Sequence, residues 1–182
     1  MSTLFVNNLN TASGTTITIP TGKTLVGTDT ASIKAPGSII QVVNAVNNTH
    51  ASYSSGSWTA TDISCQITPK FNTSKILVMI TGTIRAYNNG GADARGAWRI
   101  YRQIGGGSWG QVGTHQMTHR AYDYGSSGRL DDIPYHLQYL DSPATTSVVG
   151  YKLYGYKEAG NAIEQNPDGD DETYTTLMEV AQ

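Results

Sequence analysis

Hydrophobic alternation is clearest between Phe71 and Arg85, which reads FNTSKILVMITGTIR. In an extended chain Ile76, Val78, Ile80 and Ile84 fall on one side, with Gly82 among them, and Leu77, Met79, Thr81, Thr83 and Arg85 fall on the other. The first side is wholly apolar, whereas the second begins apolar and turns polar. Burial on one face gives alternation and burial on both gives a continuous apolar run. The stretch does both in succession. It predicts a central strand whose early part is covered on both sides, the second cover coming from elsewhere in the chain or from another subunit.

The same reading predicts strands at 38–46 (SIIQVVNAV), 58–67 (WTATDISCQI), 75–85, 97–104 (AWRIYRQI), 109–114, 135–140 (YHLQYL), 147–156 (SVVGYKLYGY) and 173–180 (TYTTLMEV). Between them lie turn-forming groups: Asn47–Gly56, Asn88-Asn89-Gly90-Gly91, Gly105-Gly106-Gly107-Ser108, Asp141-Ser142-Pro143 and Asn166–Asp171. Residues 115–133 read as a long polar loop dotted with aromatics. Pro69 ends the second strand, since proline has no N–H for a ladder. Leu177, Met178 and Val180 need cover, which predicts that the last strand sits inside a sheet. No apolar stripe of helical period is present. The pattern therefore predicts an all-β fold, a sandwich or barrel; long antiparallel strands with wide return loops suit an antiparallel jelly-roll β-sandwich, and the strand order is left open.

Residues 1–36 differ from the rest. Their apolar residues come as short groups (Leu4-Phe5-Val6, Ile17 and Ile19, Leu25-Val26, Ile33), too sparse for a core of their own. Isolated hairpins of that size are marginal in water. We read 1–36 as an N-terminal docking or trimer-stacking arm against the alternative of a free tail, and 37–182 as the jelly-roll domain, with Ala35-Pro36-Gly37 as the boundary.

Composition narrows the function classes. Thr, Ser, Gly, Asn and Tyr dominate, which suits strands and turns. Charged residues make up 14% of the chain and the formal charge is −2, which argues against a nucleic-acid groove or a polybasic membrane patch. No apolar run reaches the ~20 residues of a membrane-spanning helix. MSTLFVNNLN lacks a basic, apolar secretion signal, and Cys65 is alone, so the expectation is synthesis in a reducing cytoplasm without a disulfide framework.

Four stretches together resemble small virion proteins of marine tailed phages that carry a C1q/TNF-like jelly roll. They are TSKILVMITGTIRAY at 73–87, WRIYRQIGG at 98–106, YLDSPATTSVVGYKLYG at 139–155 and TLMEV at 176–180. STLFVNNLNTASGTTITIPTGKTL at 2–25 is similar to the leader of such structural proteins. The resemblance implies a homotrimer packing one sheet face about a threefold axis, with Leu77 and Met79 at the subunit interface. It also implies a place on the virion surface, with residues 1–36 docked on another virion protein of the tail or capsid. As a tail fibre the chain would touch a host cell-surface glycan; as a head fibre or capsid decoration protein it would have no receptor role.

Motifs of chemistry are weak by comparison. Gly105-x-Gly107-x-x-Gly110 has the letters of a dinucleotide fingerprint without the helix it must open, and Gly22-Lys23-Thr24 lacks the first glycine of a phosphate-binding loop, where Ile17 stands. His115 and His119 are four apart, which brings imidazoles together only on a helix. His50 and His136 match no motif. Asp168, Asp170, Asp171 and Glu172 form an acidic turn that could take a cation but does not follow the EF-hand order. Asp131 and Asp132 are adjacent and point apart on an extended chain. No nucleophile elbow is present. The expectation is a protein without catalytic residues, cofactor or resident metal. Trp109, Tyr122 and Tyr124, in or beside the long polar region, are the candidate ligand-binding residues, because aromatic faces among small polar residues bind sugars by stacking and hydrogen bonding.

Overall fold

The computed structural model describes residues 19–27, 33–88, 93–113, 117–121 and 130–182. Among these the chain forms eleven strands and no helix: β1 (Ile39–Asn47), β2 (Ala51–Tyr53), β3 (Thr59–Ile67), β4 (Lys75–Tyr87), β5 (Ala94–Ile104), β6 (Gly110–Gln111), β7 (Met117–Ala121), β8 (Leu130–Asp141), β9 (Val149–Ala159), β10 (Ala162–Gln165) and β11 (Thr173–Val180). Every pairing is antiparallel. The first sheet runs β1-β11-β4-β10-β2 with β8 on the other edge of β4, and the second runs β3-β9-β5-β6 with β7 also on β5.

Several strands share a row. β11 covers β4 from Lys75 to Thr81 and β10 continues along the same edge from Ile84 to Tyr87. Beyond them β1 and β2 share the next row, and β6 and β7 share one edge of β5. Each sheet is thus four rows wide, in the order β1/β2, β10/β11, β4, β8 and β3, β9, β5, β6/β7. Apart from the β5-to-β6/β7 return, successive rows alternate between sheets. That is a jelly-roll sandwich.

The alternation of Phe71–Arg85 places the core. Ile76, Val78, Ile80 and Ile84 are all fully buried against Trp98, Tyr151, Leu153 and Ile63 of the second sheet. Each such side chain contributes roughly 1.5–3 kcal/mol on burial. β4 is hydrogen-bonded on both edges, and β11 lies inside the first sheet as its apolar residues require. Cys65 is a buried free thiol, its pKa pushed up by burial.

Four readings of the sequence change. The polar stretch after Asn47 contains β2, because Tyr53 turns inward, meets Trp98 edge-on at 6.4 Å and donates to Gln165 Oε1 (2.9 Å). The 115–133 loop yields β7 at its start and the first residues of β8 at its end, since β8 begins at Leu130, opposite Tyr87. The strand set at 109–114 shortens to Gly110–Gln111. β10 lay in a stretch given no strand at all. Its Ile163 is fully buried where Gly96 and Gly155 leave room for it.

One end of the sandwich is sealed by two buried acids. Glu179 is 0% exposed and accepts from Lys70 N (2.8 Å), Phe71 N (3.2 Å) and Gln41 Nε2 (2.6 Å), tying the β3–β4 loop to β11. Burial works against its charge, but these donors outweigh burial and hold the carboxyl below its ordinary value. Asp141 accepts two bonds from Arg102 Nη1 (2.9 Å each) and one from the Tyr151 hydroxyl (2.7 Å), joining the sheets. Burial first, then Asp141, pushes the Tyr151 pKa far up, so the hydroxyl stays a donor. At the same end Gly37 N donates to Ala181 O and Ala181 N to Ser38 O, and Lys34 Nζ lies 4.4 Å from the Phe71 ring centre. The segment preceding β1 therefore leaves from this end.

A Cβ on Gly96 would overlap the Ile163 Cγ2 methyl. Gly96→Ala should cost about 2 kcal/mol in urea unfolding, and pairing it with Ile163→Ala should cost less than the sum of the two single changes; strict additivity would show that the contact is relieved at no cost. Glu179 gives a pH test. Its folded pKa is depressed, so its contribution is full at neutral pH and fades as pH falls through the folded carboxyl pKa. Glu179→Gln should lose about 2 kcal/mol at neutral pH and show a flatter acid limb than the parent chain in urea midpoints taken across pH.

Candidate functional site

The outward side of the first sheet is built by register. Leu140, Leu77, Met178 and Val42 lie side by side across β8, β4, β11 and β1. One pleat further along come Gln138, Met79, Thr176 and Asn44, then His136, Thr81, Tyr174 and Val46. Val42 is 54% exposed, Leu140 49% and Tyr174 45%; Leu77 and Met79 are half-buried by their neighbours. This sheet face thus leaves an aliphatic row open to water. His136, which matched no sequence motif, hydrogen-bonds Thr81 Oγ1 through Nδ1 at 2.8 Å.

Further along β4 this face becomes charged. Arg85 Nη2 donates to Asp132 (2.8 Å) and Asp168 (3.2 Å), and Nη1 to Glu164 (3.4 Å), whose other oxygen lies 3.9 Å from His50 Nε2. The Arg85 side chain is only 11% exposed, so it does not run out into water. The hydrogen bond to Asp132 leads in raising its pKa further, against burial. Beside it the chain makes the excursion 166–172 between β10 and β11. Asn166 adopts φ 45° and donates through Nδ2 to Asn47 O (2.9 Å) and Thr49 O (3.2 Å), while Thr173 Oγ1 donates to Asn166 Oδ1 (2.8 Å). Gly82 has no Cβ because Thr173 fills that space. In the acidic turn Asp171 accepts from Asp168 N (3.1 Å). Among the described residues no three His, Cys, Asp or Glu side chains are placed to hold a metal ion.

The outward side of the second sheet has a different chemistry. Trp58 and Tyr156 pack with ring centres 5.4 Å apart, Arg99 lies 4.2 Å over Trp58, and Tyr101 stacks on Tyr154 at 3.8 Å. Arg99 Nη1 also donates to Gln111 Oε1 (2.7 Å). Lys152 Nζ lies 5.2 Å from the Trp109 ring, which folds back over Gly150. Register accounts for the stack: Arg99 is opposite Tyr154 and Tyr101 opposite Lys152.

Trp109 thus lies at the arm end, against the sheet. The segment holding Tyr122 and Tyr124 is outside the described residues; it leaves β7 after Ala121 and enters β8 at Leu130, positions paired with Ala94 and Tyr87 at the opposite end. The Gly105–Gly110 stretch is a turn, with Gly105 and Gly106 at φ 56° and 77° and Gly107 N donating to Ile104 O (3.0 Å). It borders a shallow depression of about 220 Å³ lined by Arg102, Ile104, Gly107, Ser108, Gly110 and Gln111. His115 lies outside the described residues and His119 sits in β7 opposite Gly96, so no helix pairs them. The sequence reading missed Trp58, Arg99, Tyr101, Tyr154 and Tyr156. Apart from Trp58, their signal was there in the alternate, outward positions of WRIY at 98–101 and YKLYGY at 151–156.

The strand order defines an antiparallel jelly-roll sandwich with one aliphatic and one aromatic outer face. No protein-family model matches the sequence, and no curated protein matches it. Among solved structures the chain is similar to an Eiger TNF from S. frugiperda, at 9% identity and a TM-score of 0.34, covering 58% of this chain and 60% of that one. It is also similar to the VP2 subviral particle of infectious bursal disease virus, at 16% identity and a TM-score of 0.30, over 78% of this chain and 38% of that one. A mutant VP2 of that virus in derived T=1 particles gives 16% identity and a TM-score of 0.31, over 86% and 40%. The chain thus spans less than two thirds of each of these proteins.

Arg85 is the cation that three carboxylates share. Arg85→Gln should destabilise by about 2 kcal/mol, because it leaves part-buried acids facing one another. Asp168→Asn should change stability by less than about 1 kcal/mol, since that side chain is 69% exposed. Equal losses in thermal unfolding would show that Arg85 does not hold the cluster.

Proposed function

We propose that this chain is a non-enzymatic structural protein of a bacteriophage virion, a trimeric surface fibre whose jelly roll projects from an arm at residues 1–36. The observation that carries the reading is the aliphatic outward row Leu140, Leu77, Met178 and Val42, in a chain whose strand stretches resemble phage virion proteins. Three copies meeting through this face would remove the exposed apolar surface from water. Leu77 and Met79 would lie at the contact, giving β4 the second cover its sequence asks for.

The arm and the sandwich fit this arrangement. Leu25 and Val26 are 62% and 71% exposed, as suits a segment that docks on another virion protein. The chain enters at the end sealed by Glu179 and Asp141, so the β4–β5, β7–β8 and β9–β10 connections leave from the end away from the arm. That outer end and the sides of the trimer are what a host surface glycan would meet.

Immunogold labelling of virions is the direct test. Label at the tail supports the fibre; label at capsid lattice positions turns the reading to head fibre or decoration; absence from purified particles overturns both. Light scattering at micromolar concentration should give a trimer. Met79→Lys should shift it to monomer, because assembly would bury an unpaired charge, and a trimer unchanged by Met79→Lys would show that this face is not the contact.

A further inference from the structure

We infer that the outward face of the second sheet is a binding platform for an extended acidic polysaccharide. The inference gives a site to the glycan recognition proposed above and rests on that reading only for its biological setting. It begins with a contrast between the two faces. The first sheet exposes Leu, Met and Val, which gain by meeting another protein. On the second, the outward positions of β9 and β5 are Gly150, Lys152, Tyr154, Tyr156 and Ala97, Arg99, Tyr101, Gln103, with Ser64 and Gln66 of β3 beside them. Not one is a branched aliphatic or a methionine. Aromatic rings with amides, hydroxyls and cations suit a ligand rich in both C–H and O–H groups.

The arrangement is also ordered in advance. Arg99 is held between the Trp58 ring and Gln111 Oε1, and Tyr101 and Tyr154 fix each other by stacking. Side chains already immobilised lose little entropy when a ligand arrives. Stacked rings present their edges, and the edge is the positive side of the aromatic quadrupole. With Arg99 and Lys152 at the centre of the face, those edges favour oxygen-rich, anionic substituents. The exposed carboxylate Asp62 lies on the edge strand β3, and Glu158 is paired with Arg95 at 3.0 Å near the end of β9. From Ala97 to Gln103 the platform runs about 20 Å along the strands, long enough for several sugar residues laid end to end.

Affinity electrophoresis of the full chain in native gels containing alginate, dextran sulfate or neutral dextran tests this. Retardation is expected in alginate or dextran sulfate and not in dextran. Trp58→Ala and Tyr101→Ala should each weaken it at least fivefold, as should Arg99→Gln and Lys152→Gln, which leave the core untouched and keep the proteins folded by circular dichroism. No retardation in any gel overturns the platform, as does retardation equal in dextran or unchanged by all four substitutions. The proposed function fails separately: a polysaccharide-binding protein absent from virions keeps the platform and loses the fibre, and a virion trimer that binds none does the reverse.

Discussion

Everything in this sandwich depends on β4 being paired along both edges while its own inner side is wholly apolar. One edge takes β8 over nearly its whole length, and the other must take two strands in turn, β11 and then β10. The changeover is the difficult point, because a chain that leaves a ladder exposes backbone groups that must be paired. Here Asn166 N donates to Thr83 O (3.1 Å), and the Asn166 side chain caps carbonyls on the neighbouring row. Gly82 opposite makes room for Thr173. A polar knot at the centre of the first sheet thereby lets one row be made of two strands, with the excursion 166–172 thrown outward and anchored on Arg85.

The ends of β4 are handled differently. Near Ile76 two acids lie in the adjacent rows, Asp141 on one side and Glu179 on the other. Buried carboxylates are costly unless fully hydrogen-bonded, and each is satisfied by a different part of the chain: Asp141 by the second sheet, Glu179 by the β3–β4 loop. They fix the spacing of the sheets and the course of the loop at the end where the N-terminal segment attaches. At the other end small residues do the equivalent work. Gly96 and Gly155 admit Ile163, which lets the sheets approach where β10 replaces β11.

Much of this was legible because period-2 alternation is a local signal. Phe71–Arg85 declared its buried side residue by residue, Thr173–Val180 was placed within one sheet by its apolar side, and the fold class followed. Short strands were not legible. Ala51–Tyr53 and Ala162–Gln165 carry too few residues for a pattern, and they form because Tyr53, Gln165 and Ile163 find partners far along the chain. The candidate site was half legible: Leu77 and Met79 could be assigned to an outer face, but the aromatic stack could not, since Trp58 just precedes β3 while Arg99 and Tyr154 come from β5 and β9, and local pattern leaves the order of these strands open. Trp109 likewise takes its place from a distant strand, lying over Gly150 of β9.

The two outer faces also constrain each other. They lie on opposite sides of a sandwich whose sheets pack about 10 Å apart, so no single partner of ordinary size covers both. If copies of the chain associate through the aliphatic face, the aromatic face is turned outward on every copy, and association multiplies it about the assembly axis. Weak binding by one face then becomes strong binding by several, provided that their spacing matches a repeating ligand. A long polysaccharide is such a ligand and a compact protein receptor is not. In such an assembly the separation of an aliphatic face from a ring-bearing one would link the oligomer to the kind of surface it could hold, without any change in the shape of the subunit.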